Sequence, residues 1–177
     1  MFTQQDLNEI YSRVVENLRW DDTGEAEALL QHLERVTPES PRVLAQRAAI
    51  LAKKGKLEEA ETLLHRVLEG QPSCTDAWVN LGNLHYLKGR YREAAEAYLQ
   101  ALRIDPKLVR GYHNITAAYA KLGLKRQARR AWRKARRLEY VEFLRREGVK
   151  GALGCGTYAT LISIAVLVGL LLYLHVR

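Results

Sequence analysis

Cysteine is almost missing: Cys74 and Cys155 are the two in 177 residues and lie far apart, which excludes a disulfide framework and points to a reducing compartment. Four prolines and twelve glycines are too few for long structureless stretches. Metal chemistry also has little to draw on. His32, His65, His85, His113 and His175 show no HExxH spacing, and the cysteines form no CxxC pair. The glycines occur singly or in the group Gly148, Gly151, Gly154 and Gly156, and none forms a phosphate-cradling loop after a strand. These absences predict a protein that is not an enzyme and that takes no metal or cofactor. The opening Met1-Phe2-Thr3-Gln4-Gln5-Asp6 has neither a basic start nor an apolar run, so it does not read as a secretory signal.

Charge of either sign is missing from the 26 residues between Lys150 and Arg177. Residues 159–176 include 11 Leu, Ile or Val. A bilayer-spanning helix needs about 20 mainly apolar residues, so the spacing predicts one transmembrane helix over 159–176. With no earlier membrane signal, the expectation is a tail-anchored, single-pass membrane protein whose preceding residues face the cytosol. The basic residues are just as local. Residues 1–120 hold 15 Lys and Arg against 17 Asp and Glu, whereas residues 121–150 hold 12 against 3. Basic clusters on the cytoplasmic flank of a span are drawn to anionic lipid at about 1 kcal/mol per residue, which assigns Arg136, Arg137, Arg145, Arg146 and Lys150 to membrane lipid headgroups rather than to nucleic acid. Ala165 and Gly169 form a small-xxx-small pair that permits helix association.

Upstream, one period governs the chain. Gly55, Gly89 and Gly123 are 34 residues apart, as are Pro38, Pro72 and Pro106, and as are Ala26, Ala60, Ala94 and Ala128. A 34-residue period is the mark of a helix-turn-helix unit that cannot bury its own apolar face and must stack on its neighbours. The segment Thr75 to Leu108 carries Trp78, Leu81, Gly82, Gly89, Tyr91, Ala94, Tyr98, Ala101 and Pro106. On these residues the chain resembles the tetratricopeptide repeat family. The frame continues upstream through Leu44, Ala48, Gly55, Ala60, Leu64 and Pro72, and downstream through Tyr112, Ile115, Tyr119, Gly123, Ala128 and Trp132. A first, atypical unit keeps Ile10, Ala26, Leu30, Leu33 and Pro38 but places Arg13 and Asn17 where apolar residues are expected.

The expected fold is therefore all-α: a helix-turn-helix solenoid of about four units plus one C-terminal transmembrane helix. Residues 1–40 read as a capping helix pair, 41–147 as repeats ending in a long basic helix, 148–158 as a Gly-rich juxtamembrane segment and 159–176 as the span. Trp78, Tyr98, Tyr112 and Trp132 are expected to fill the spaces between units, and Ala60, Ala94 and Ala128 to mark close helix contacts. Ser40 before Pro41 reads as an N-cap.

For function, the resemblance implies a concave groove lined by the first helix of each unit and a protein or peptide partner within it. It implies that Asn80 and Asn114 hydrogen-bond the backbone of an extended ligand. Helical periodicity adds Asn83, Arg110, His113 and Lys121 to the same face. The family members that grip acidic chaperone tails also need a Lys and an Asn where this chain has Ala45 and Ala49. The function expected is a membrane-anchored adaptor that recruits or assembles protein partners. An accessory structural subunit of a larger membrane complex is the alternative.

Overall fold

The computed structural model describes residues 3–147. The predicted span at 159–176, the Gly-rich segment and Lys150 lie outside the described residues. No helix among the described residues is long and apolar enough to cross a membrane.

The described residues form eight helices: α1 (Gln4–Arg19), α2 (Thr23–Val36), α3 (Pro41–Lys53), α4 (Leu57–Gly70), α5 (Thr75–Leu87), α6 (Tyr91–Ile104), α7 (Val109–Lys121) and α8 (Lys125–Arg146). Helix starts at Pro41, Thr75 and Val109 repeat the 34-residue period. Capping is strongest in the first pair. The Thr3 hydroxyl accepts from the Asp6 N–H at 3.2 Å while the Asp6 carboxylate accepts from the Thr3 N–H at 2.7 Å, a reciprocal capping box. Asp22 caps α2 by accepting from the Glu25 N–H. Ser40 precedes Pro41 at the start of α3, but its side chain makes no capping bond; the fixed φ of the proline starts this helix.

Between the two helices of each later unit the chain reverses through Gly55, Gly89 and Gly123, with φ of 80°, 74° and 74°. Only glycine enters this left-handed region without steric cost. In the first unit Asp21, with φ of 66°, does the same work 34 residues before Gly55. That position was not legible as a turn, because nothing but the period marks it.

Each first helix adjoins the first helix of the next unit, from α1 to α3 to α5 to α7. By contrast α2, α4 and α6 make no contact with one another and pack only on first helices. The stack through Ala135 therefore closes on the side of the first helices and splays on the other. Its interior is built at junctions between units. One cluster joins Ala45, Ala48, Leu64 and Val67 to Ala77, Leu81, Leu84 and Ala97; a second joins Val79, Ala94, Tyr98 and Ala101 to Ile115, Ala118 and Ala131; a third joins Tyr11, Val14, Leu30 and Leu33 to Val43 and Ile50.

The expected aromatic spacers behave unequally. Tyr98 is buried at 2% exposure. Trp78 is half-buried, touches two of the clusters and donates its indole N–H to the Pro72 carbonyl at 2.8 Å. Tyr112, 34 residues later, is half-buried and donates in the same way to Pro106. Trp132 corrects the expectation, being 50% exposed. It occupies the position of Tyr98 one unit on, but the place of Gly82 beneath it is taken by Thr116, which leaves no notch for a ring. Ala60 and Ala94 are fully buried as close contacts, whereas Ala128 is half-buried and Ala131 and Ala135 take over the packing side of α8.

The described residues from Arg136 onward belong to a second compact unit. Within it Arg146 pairs with Glu142 at 2.9 Å and Arg136 with Glu139 at 3.7 Å. Arg136, Arg137, Arg145 and Arg146 are exposed.

An ion cluster ties α4 to the turn after α5. Glu61 accepts from Lys88 Nζ at 2.5 Å and from Arg90 Nη2 at 3.1 Å. The Lys88 hydrogen bond, with Arg90 behind it, holds the Glu61 carboxyl below its ordinary value of 4.5. A carboxyl whose folded pKa is depressed stabilises fully above its unfolded value, and that contribution is lost as pH falls through the folded one. Glu61→Gln should therefore lower the melting temperature at pH 7, with the gap from wild type narrowing as pH drops below 4.5. Thermal melts of both proteins from pH 7 to pH 3 give the comparison, and a pH-independent gap would remove the ion cluster from the account.

Candidate partner-binding face

The side of the stack formed by α1, α3, α5 and α7 is crossed by two rows of polar residues, each following the 34-residue period. The first is Arg42, Asp76 and Arg110, at the second position of α3, α5 and α7. Arg42 Nε donates to Asp76 Oδ2 at 3.3 Å, and Arg110 Nη2 donates to Asp76 Oδ1. The carboxylate is buried, with 9% of its side chain exposed, while Arg42 and Arg110 expose 54% and 35%. The Arg42 guanidinium lies 3.9 Å above the Tyr11 ring, a cation-π contact that extends the row to α1. Burial, reinforced by the nearby Asp76 charge, pushes the Tyr11 phenol well above its ordinary pKa, so it stays neutral.

The second row is Gln46, Asn80 and Asn114, four residues further along the same helices. Each amide reaches back toward the preceding unit. Gln46 Nε2 donates to the Tyr11 hydroxyl at 2.6 Å, Asn80 Nδ2 to the Ala45 carbonyl at 2.8 Å, and Asn114 Nδ2 to Asn83 Oδ1 at 2.9 Å. The Asn83 oxygen also accepts from the Tyr98 hydroxyl at 2.7 Å. The expectation that Asn80 and Asn114 present free amides to a ligand is corrected here. Asn80 is 8% exposed and its donor is spent on the neighbouring helix, which sits close enough for a short amide to span the gap.

The other expected residues fall in different places. Arg110 is joined to Asp76 and Asn83 to Tyr98 and Asn114, so these two lie in the rows just described. His113 is half-buried on α7. Lys121 is exposed at the last position of α7, with its ammonium 6.0 Å from the Tyr91 ring. Tyr11, Arg42, Gln46 and Asp76 were missed by sequence reasoning, although the equal spacing of Arg42, Asp76 and Arg110 is a signal that could have found three of the four. His85 on α5 has its Nδ1 buried without a partner, and burial, then Arg90, lowers its pKa, so it is neutral at physiological pH. Among the described residues no group of three His, Cys, Asp or Glu is placed to hold a metal ion.

Comparison with known proteins agrees with this architecture. Residues 45–108 match the family model described as tetratricopeptide repeat, which supports assignment to that family. The DnaJ homolog subfamily C member 7 homolog of Schizosaccharomyces pombe is 26% identical over 116 residues, covering 59% of this chain and 24% of that protein. Human tetratricopeptide repeat protein 13 is 33% identical over 87 residues, covering 48% of this chain and 10% of its own length. The chain thus spans a quarter or less of the curated relatives it matches. Among solved structures, a crystal structure of MamA superposes with a TM-score of 0.57 at 20% identity, covering 77% of this chain and 80% of that one. MamA from Desulfovibrio magneticus RS-1 gives 0.55 at 17% identity, covering 78% of each. At these identities the likeness shows the fold, a tetratricopeptide-like helical solenoid.

Proposed function

We propose that this chain is an interaction scaffold whose repeats hold a protein or peptide partner against the α1, α3, α5 and α7 side, while the apolar run 159–176 tethers it to a membrane with the repeats in the cytosol. The observation that carries the binding reading is the arginine row. Arg42 and Arg110 keep N–H donors that no described residue accepts, on the side where the stack closes and an extended segment meets several units at once. The membrane part rests on the uncharged run and on the basic residues before it, with Arg136, Arg137, Arg145, Arg146 and Lys150 at the lipid headgroups.

A second reading is favoured by one finding. Asn80 and Asn114 are consumed in holding neighbouring units together, which suits an accessory subunit whose repeats chiefly maintain their own rigidity inside a larger membrane complex.

Photo-crosslinking separates the two. A crosslinker at the exposed Ala117 of α7 should capture a partner that one at the exposed Glu58 of α4 does not. Equal capture at both sites would favour the subunit. Resistance of the full chain to alkaline carbonate extraction is expected, and release with peripheral proteins would end the tethering claim.

A further inference from the structure

Charge in the stack is divided by helix. In α3, α5 and α7 the acidic residue is Asp76 alone, against Arg42, Arg47, Lys53, Arg110 and Lys121. The partner helices reverse this: α4 carries Glu58, Glu59, Glu61 and Glu69 against Arg66, and α6 balances Glu93 and Glu96 against Arg92 and Arg103. A stack whose first 120 residues are slightly acidic thus turns its cations toward the first helices.

Within that field Arg42 and Arg110 converge on one carboxylate. Two guanidiniums against one buried anion leave a net positive charge, and each arginine has used one donor group on Asp76 while its remaining N–H groups find no acceptor among the described residues. The Tyr11 ring under Arg42 limits the rotamers of that side chain, so the donors are held in place before anything binds. Guanidinium forks match carboxylate oxygens in geometry as well as charge.

We propose that Arg42 and Arg110 form a carboxylate-binding site for an acidic partner segment, with Asp76 as a resident anion that shares the two arginines and sets how tightly the incoming carboxylate is held. The site lies at different positions from those that grip acidic chaperone tails in the family, where this chain has Ala45 and Ala49. It rests on the reading that this side of the stack is the binding face. The carboxylate comes from an acidic side chain or from a chain terminus, chemistries that one probe series distinguishes.

The test is a fluorescence titration of the detergent-solubilised full chain at physiological salt with labelled tetraglutamate. The same peptide amidated at its C-terminus and a tetraglutamine control accompany it. Arg42→Gln with Arg110→Gln should weaken tetraglutamate binding about tenfold or more, consistent with loss of paired charge-assisted contacts. Asp76→Asn should strengthen it about threefold or more, because the competing resident charge is gone while the side-chain size is kept. A purely structural ion row predicts the opposite sign for Asp76→Asn, or no change, so this variant decides the matter even if the arginine variants melt early. Retained binding of the amidated peptide assigns the site to side-chain carboxylates, and its loss assigns it to a terminus. Arg130→Gln with Arg133→Gln, on the exposed face of α8, should leave the affinity unchanged. Binding that survives loss of both groove arginines, or that follows the α8 variant, overturns the proposal. Crosslinking at Ala117 would still stand in that case, so the failure would be of this site and not of the binding face.

Discussion

Tyr98→Ala should destabilise the stack by about 3–5 kcal/mol, the range for deleting a large buried aromatic side chain. The ring is 2% exposed and lies across Gly82 of α5, where an added Cβ would stand 2.5 Å from Tyr98 Cε1. Its hydroxyl donates to Asn83 Oδ1, the same oxygen that Asn114 of α7 engages. One side chain thus links α6 to α5 and, through a shared acceptor, to α7. Truncation opens a cavity at a junction between units and removes a buried hydrogen bond together. Gly82→Ala tests the same contact from the other side and should cost about 1–3 kcal/mol by overpacking. In the double variant the new methyl enters the vacated space, so its cost should fall below the sum of the singles. Urea denaturation of all four proteins measures this. Strict additivity would mean that the two residues do not meet as described.

How much of this was legible in the sequence depends on what kind of fact is asked for. The period, the turn glycines and the all-helical fold follow from spacing alone, because a unit with one apolar face has to stack and a reversal with positive φ has to be glycine or pay a steric cost. Asp21 escaped because an aspartate can take that backbone without announcing it. Trp132 escaped because burial of a ring depends on its opposite number. Gly82 admits Tyr98, whereas Thr116 at the equivalent place does not admit Trp132. The carboxylate between two arginines was visible as Arg42, Asp76 and Arg110 at equal spacing, yet opposite charges 34 residues apart acquire meaning only once the first helices are known to lie side by side.

The amides show the same limit and give the last expectation. A helix position that faces the closed side of the stack also faces the neighbouring first helix, and periodicity cannot say which of the two an asparagine reaches. If Asn80 and Asn114 served only a ligand, replacing both by alanine would leave the melting temperature nearly unchanged. The geometry argues otherwise. Asn80→Ala leaves the Ala45 carbonyl without its donor in a buried junction, and Asn114→Ala removes one of two donors from Asn83. An orphaned buried polar group costs about 1–3 kcal/mol, so the Asn80 variant should lose stability by that amount and the Asn114 variant by less, since the Asn83 oxygen keeps the Tyr98 hydroxyl. Asn80→Asp should be worse than alanine, because a carboxylate cannot donate to a carbonyl and would sit charged in a buried place. Thermal melts rank the three variants. A melting temperature unmoved by Asn80→Ala would return that amide to the binding face and make the inward hydrogen bond incidental.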